Sequence, residues 1–270
     1  MEINEINWTA ENILKINNEI DCFACETVDD SKIDLLRKKI EPWLTAIFQS
    51  EHFSLLTGTG LTASLTNLAG ISSQGMGRID FDDECKEEIR EWSDKSAQEL
   101  GRGQANIEDD FRTALELLQG LKIQKKDTSA FEIEINSKLD NFIRAIVKTE
   151  KEFCASAKYN GVLSILKSFL ISFSSRTATR ERTNIFTTNY DRFIEIGLDK
   201  AGILTIDRFV GKIKPIFRTT KLELDYHYNP PGIRGEPRYV EGVVRFIKLH
   251  GSIDWKFEDD TIAKIPLEFG

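Results

Sequence analysis

Three short segments of this chain place reactive side chains where an apolar run gives way to a turn. Leu249-His250-Gly251-Ser252-Ile253-Asp254-Trp255 closes one such run and sets a histidine beside glycine and serine. Imidazole titrates near neutrality, so His250 is a candidate general base, with a hydrogen-bonded structural histidine as the alternative. Thr187-Thr188-Asn189-Tyr190-Asp191 closes a second run. Polar side chains at the carboxyl end of a strand sit where open α/β sheets bind ligands. Asn189 or Thr188 could equally cap the next helix, with Asp191 favouring its first turn. Thr57-Gly58-Thr59-Gly60-Leu61-Thr62 follows a third run. Glycines there let the backbone approach a pyrophosphate, which the free N–H groups of the next helix stabilise, and Thr59 and Thr62 add hydroxyl donors. Position 63 is Ala, so the full G-x-G-x-x-G is absent, as is an acidic ribose-binding residue at the usual distance. Taken alone, this segment also reads as an ordinary turn. His52 and His227 stand in less telling contexts and are given no role.

The elements that must position these segments follow from apolar spacing. Phe53 to Thr57 and Asn184 to Thr187 read as buried strands, the second leading into a helix from about Tyr190 to Lys200 that Gly202 stops. Ile107, Phe111, Ala114 and Leu118 form one helical stripe, Ile135, Leu139, Phe142 and Ile146 a second, and Val162, Leu166, Phe169 and Phe173 a third. From Ser31, a candidate N-cap, Leu36, Ile40, Trp43, Leu44 and Ile47 share a helical face. After Ile203 the character is β: Pro215-Ile216-Phe217, Leu222 to Tyr228 and Val243 to Leu249, with Asn229-Pro230-Pro231-Gly232 as a breaker. The expectation is an α/β fold, a Rossmann-like and mostly parallel sheet carrying an inserted helical subdomain at about 70–180. Residues 1–49 form a polar and helical N-terminal segment, and 50–270 the nucleotide-binding domain.

The net charge of −8 argues against a nucleic-acid surface, and the densest basic patch, Arg176, Arg180 and Arg182, is short and interrupted. No apolar run reaches the roughly 18 to 20 residues of a membrane span, and Met1-Glu2-Ile3-Asn4-Glu5 lacks the start of a signal peptide, so a cytoplasmic location is expected. Cys22 and Cys25 have C-x-x-C spacing, but Cys85 and Cys154 stand alone. A tetrahedral zinc site needs four ligands, so no metal is expected.

The three segments, in this order, resemble the sirtuin-like family, and more closely the sirtuin-like NAD hydrolases of bacterial anti-phage defence. The patterns there are a Gly-Ala-Gly-x-Ser loop, Thr-Thr-Asn-Tyr-Asp and Leu-His-Gly-Ser. The second and third are met residue for residue, and the first with Thr59 for Ala and Thr62 for Ser. Asn106-Ile107-Glu108-Asp109 is similar to an Asn-x-Glu-Asp that opens a helix in such domains. The resemblance spans roughly residues 50–270. It implies a sirtuin-like fold that binds NAD through Gly58, Thr59, Gly60, Leu61, Thr62, Thr188, Gly251 and Ser252. It further implies that Asn189 holds the nicotinamide carboxamide or the attacking water, that Asp191 supports it, and that His250 is the base. The products are then nicotinamide and ADP-ribose. The chain lacks the paired zinc cysteines of deacylating sirtuins and has Ala63-Ser64-Leu65-Thr66-Asn67 where their first loop continues differently. Both departures favour hydrolysis over the alternatives, an NAD-dependent protein deacylase or a non-catalytic NAD or ADP-ribose sensor. The family continues beyond the histidine segment, which implies an N-terminal part of a longer protein or completion by a partner chain. Because free NAD hydrolysis kills the host, the resemblance also implies control through a homo-oligomer or a defence partner protein.

Overall fold

Branched and aromatic residues in short runs, separated by long helical stripes, call for parallel strands joined by helical crossovers. The computed structural model describes residues 30–73, 75–82, 85–177, 180–220, 224–229 and 238–270, with backbone alone for 12–16, 19–23, 30 and 238. Cys25 and the side chain of Cys22 lie outside the described residues, as do 221–223 and 230–237, which held part of one expected strand and most of the proline breaker. The chain order is β1 (Asn12–Ile16), β2 (Glu19–Phe23), α1 (Asp30–Phe48), β3 (Ser54–Thr57), α2 (Thr59–Ala69), α3 (Lys86–Glu99), α4 (Ile107–Ile123), α5 (Ser129–Ala155), α6 (Tyr159–Ser174), β4 (Asn184–Thr187), α7 (Phe193–Ala201), β5 (Leu204–Ile206), β6 (Phe209–Val210), β7 (Ile216–Phe217), β8 (His227–Tyr228), β9 (Arg238–Tyr239), β10 (Val243–Lys248), β11 (Trp255–Glu258) and β12 (Thr261–Lys264).

The fold is mixed α/β, built on a four-stranded, all-parallel sheet in the order β3-β4-β10-β5. This arrangement is compatible with a Rossmann-like core. Thr57 pairs with Thr187, and Thr187 with Lys248, so three strands finish at one level. The second sheet, β11-β12-β7-β6, is antiparallel. The main core joins Ile185 of β4 and Val244 and Phe246 of β10 to Leu65, Phe153, Leu166, Leu170, Phe193 and Leu198 from the covering helices. A separate cluster of Phe81, Ile89, Ala114, Phe131 and Ile135 holds α3, α4 and the start of α5 together.

Several expectations change. The helical stretch at 70–180 divides: α6 and the end of α5 belong to the sheet's core, because their apolar stripes face α2 and α7. β3 is an edge strand among the described residues and not a buried one, and its Leu56 is 67% exposed. α1 forms, but its stripe is not fully buried: Trp43 and Leu44 are exposed, Leu36, Ile40 and Ile47 are half-buried, and Phe48 in the last turn packs against Phe53 and Phe173. α7 begins at Phe193 and not at Tyr190, since residues 188–192 are drawn into the site described below. The run at 222–228 contributes a two-residue strand, His227–Tyr228, among its described residues. No described helix is long and apolar enough to cross a membrane.

Close packing of α7 on α6 supplies a test. A Cβ on Gly197 would lie 2.6 Å from Leu170 Cδ1 and 2.9 Å from Leu166 Cγ, and both leucines are fully buried. Alanine gains about 1 kcal/mol of helix propensity, whereas overpacking a tight core costs about 1 to 3 kcal/mol. Gly197→Ala is therefore expected to destabilise the fold by about 1 kcal/mol in urea unfolding, the net of those two effects.

Candidate active site

Register brings the three segments together. β3 delivers Gly58 and Thr59, β4 delivers Thr188 and Asn189, and β10 delivers Leu249 and His250 to the same edge of the sheet. A cavity of about 570 Å³ opens there, lined by Thr59, Gly60, Thr62, Thr188, Asn189, Asp191 and His250, and also by Glu108 and Tyr190. Seven of the eleven expected site residues thus line one cavity. Gly58, Leu61, Gly251 and Ser252 do not line it.

The glycine turn works by leaving room. Gly58 is extended, at φ −133° and ψ −160°, so any residue could adopt its backbone. A Cβ on Gly60 would meet nothing within 4 Å, because the position opens on the cavity. α2 starts here with no side-chain cap on Gly58 and no acidic residue in its first turn. Its first N–H groups and the positive end of its dipole face the cavity with no acidic residue of the helix's own first turn against them, which suits an anion. Leu61 turns away into the main core, and its N–H donates to the Gly58 carbonyl at 3.0 Å.

Asn189 is not a helix cap. Arg192 occupies the N-cap of α7 and provides no side-chain bond. The buried Asn189 side chain instead reaches across to β3 and α2: Nδ2 donates to the Gly58 carbonyl at 2.9 Å and to Thr62 Oγ1 at 3.0 Å. Thr62 Oγ1 donates in turn to Asp191 Oδ2 at 2.6 Å. A hydroxyl has one proton. Thr62 has committed its own to Asp191, so it orders the site and cannot also donate to a phosphate. Both Nδ2 hydrogens of Asn189 are used, while its Oδ1 is buried with no partner. Buried acceptors are rarely left so, and Asn189 lines the cavity, so this oxygen is open to a donor that enters it.

Asp191 and Lys248 form the floor. Burial pushes the Asp191 carboxyl above its ordinary range, opposed by the bond from Thr62 and by the Lys248 ammonium. Lys248, almost wholly buried, donates to the Asp191 carbonyl, and to Glu195 Oε1 at 2.8 Å. Burial raises the Glu195 carboxyl as well, with Lys248 opposing. Sequence reasoning missed Lys248, although a lysine in the apolar run Val243-Val244-Arg245-Phe246-Ile247-Lys248 was a visible signal.

At the cavity's mouth, Glu108 Oε1 accepts the Tyr190 hydroxyl at 2.8 Å and lies 3.1 Å from His250 Nδ1. Burial, then the Glu108 carboxylate, pushes the Tyr190 phenol far up, so it stays protonated and donates. Gly251, at φ +91°, turns the chain sharply after His250, a conformation that favours glycine. Ser252 Oγ donates to the Tyr190 carbonyl at 3.4 Å and lines a neighbouring apolar groove of about 730 Å³. Glu108 and Tyr190 had been seen only as members of motifs. Their contact closes across a separation of 82 positions in the chain.

Two outcomes follow. Thr62→Val keeps the shape but strands a donor on Asn189 and an acceptor on Asp191, so urea unfolding is expected to show a loss of about 1 to 3 kcal/mol. For Asp191, a folded pKa above the unfolded value makes a contribution that is complete below the unfolded pKa and lost as pH rises through the folded one. Asp191→Asn does not titrate, so its stability relative to wild type is expected to be higher at about pH 8 than at about pH 4. An unchanged difference across that range removes the burial argument.

Comparison of the chain with protein-family models and with curated proteins finds no match.

Proposed function

We propose that the chain is a sirtuin-like NAD⁺ glycohydrolase. The observation that carries the reading is the buried, partnerless Oδ1 of Asn189 in a cavity that is also lined by the start of an uncapped helix, Thr59 and Gly60. A dinucleotide offers the matching groups: a pyrophosphate for the start of α2 at Thr59 and Gly60, and a carboxamide N–H or attacking water for Asn189. In this reading Asn189 accepts from that donor, held by Gly58 and Thr62. Asp191 fixes Thr62, and His250 takes the proton of the water. The water oxygen bonds to the ribose C1′, and the C1′–nitrogen bond breaks with its electron pair going to the pyridinium, which leaves as neutral nicotinamide. No acid is needed for a leaving group that is already cationic, and no metal is called for. ADP-ribose is the second product. The physiological reading is a cytoplasmic enzyme that depletes NAD in anti-phage defence, held silent until a homo-oligomer or a defence partner activates it.

One observation favours a second reading, an NAD-dependent protein deacylase. The apolar groove lined by Phe111, Leu115, Leu139 and Phe142 meets the cavity at Glu108 and Tyr190, where an acyl chain would approach. An NAD or ADP-ribose sensor is the third outcome of the same experiment. Purified protein, in its activating assembly, is incubated with NAD with and without an acetylated peptide, and nicotinamide is measured. Release without peptide is expected; peptide-dependent release supports the deacylase, and binding without turnover the sensor. Asn189→Ala and His250→Ala are each expected to stay folded and bind NAD by calorimetry. Turnover is expected to fall about 10² to 10⁴-fold for the base, with the double variant little worse than either single one. Wild-type turnover in both single variants overturns the site.

A further inference from the structure

His250 has a partner that the hydrolase reading leaves without a role. Glu108 is the second residue of α4, and its backbone is fixed by a reciprocal cap. Asn106 Oδ1 accepts the N–H groups of Glu108 at 2.8 Å and Asp109 at 3.3 Å, while Asp109 Oδ2 accepts the Asn106 N–H at 3.1 Å. Arg102 and Arg112 both hold the Asp109 carboxylate, so the start of α4 is braced from two sides. From this anchor Glu108 Oε1 takes the Tyr190 O–H at 2.8 Å and meets His250 Nδ1 at 3.1 Å. Tyr190 is itself wedged, edge-on to Phe142 with ring centroids 6.0 Å apart and 6.3 Å from the His250 ring.

The chemistry of that contact decides which ring nitrogen carries hydrogen when the imidazole is neutral. An ionised carboxylate only accepts hydrogen bonds, and Tyr190 already uses its proton on the same oxygen. The His250 nitrogen facing Glu108 must therefore be the one that carries hydrogen. Nε2 is then the bare nitrogen of the neutral ring, the form a base requires. Stability does not explain the pair. The side chains are 43% and 30% exposed, and an ion pair that open is worth about 0 to 1 kcal/mol.

We infer that Glu108, held by the Tyr190 hydroxyl, is the positioning residue that locks His250 with Nδ1 protonated and Nε2 free as the base. The inference rests on the hydrolase reading for its use in chemistry, but not for the tautomer. When His250 accepts the proton of water, the imidazolium forms beside a carboxylate already in place, so no reorganisation is needed at that moment.

The test separates the two. The chain has three histidines, so the ring nitrogens of isotope-labelled histidine are assignable by NMR with a His250→Gln control. Wild type is expected to show His250 as the Nδ1–H tautomer without any ligand. Glu108→Leu, which keeps bulk but accepts no hydrogen bond, is expected to lose that preference with nearly unchanged melting temperature and NAD affinity. Its kcat for nicotinamide release is expected to fall by at least tenfold and at most by the about 10² to 10⁴ that a general base contributes. Tyr190→Phe, read the same way, guards against misfolding of the leucine variant and is expected to weaken the preference partly. An Nε2–H tautomer in wild type, or the same tautomer in both variants, overturns the inference. So does a shifted tautomer with undiminished turnover. A wild type that shows the expected tautomer but never releases nicotinamide, even when assembled, sinks the hydrolase reading and leaves the Glu108–His250 lock standing.

Discussion

Parallel pairing of β4 with both β3 and β10 is the constraint on which the site depends. Parallel ladders fix where strands stop relative to one another, and here Thr57, Thr187 and Lys248 stop at one level. Gly58, Thr59, Thr188, Asn189 and His250 all follow within two residues of those three positions. A slip of one residue in either ladder would also exchange the buried and outward faces of a strand, placing Ile185 or Phe246 on the wrong side of the core. Core packing and site assembly are thus enforced by the same register. The side chain of Asn189 then converts that alignment into contact, because it bonds directly to both Gly58 and Thr62 across the gap between β4 and α2.

Buried cations solve a second problem. Chain that leaves a strand end without forming a helix at once has carbonyls with no ladder partner, and buried carbonyls need one. Lys248 donates to the carbonyl of Asp191. Arg192 donates to the carbonyls of Leu267 and Glu268 while paired with Glu150, and Arg182 to those of Tyr226 and Val240 while paired with Asp225. Each cation offers several donors from one point, so one side chain satisfies an irregular turn that no strand could reach. Desolvation makes such pairs a weak source of net stability. What they supply is a defined path for segments 188–192, 224–226 and 266–269, the first of which carries the site.

Strands, helical stripes and the position of all three motifs could be read from local spacing, and Asn184 to Thr187 was placed to the residue. What local spacing could not show was contact. Asn189 looks like a cap because caps are local, and its true partners lie about 130 positions earlier in the chain. Thr62 looks like a phosphate donor until Asp191 is seen to hold its proton. Trp43 and Leu44 obey a perfect helical period and yet remain exposed, because period reports which residues share a face and not what covers it. Lys248 is the converse: a charge in an apolar run, tolerated because Glu195 and a backbone carbonyl meet it.

The inventory of groups around the cavity suits one kind of transition state better than another. Acyl or phosphoryl transfer develops negative charge and asks for clustered donors at the reacting atom. Around Asn189 the free capacity is the opposite. Its Oδ1 is an acceptor, the Glu108 carboxylate stands at the mouth, and Asp191 lies behind Thr62. The uncapped N–H groups at the start of α2 face the same cavity at Thr59 and Gly60, where the proposed reading puts the pyrophosphate. In the proposed reaction the departure of neutral nicotinamide leaves a ribose carrying positive charge, which acceptors and carboxylates stabilise. Under the proposed hydrolase reading, a dinucleotide would lay its phosphates on Thr59 and Gly60 and bring its glycosidic bond to the Oδ1 side of Asn189, whose amide is held against the start of α2 by Gly58 and Thr62.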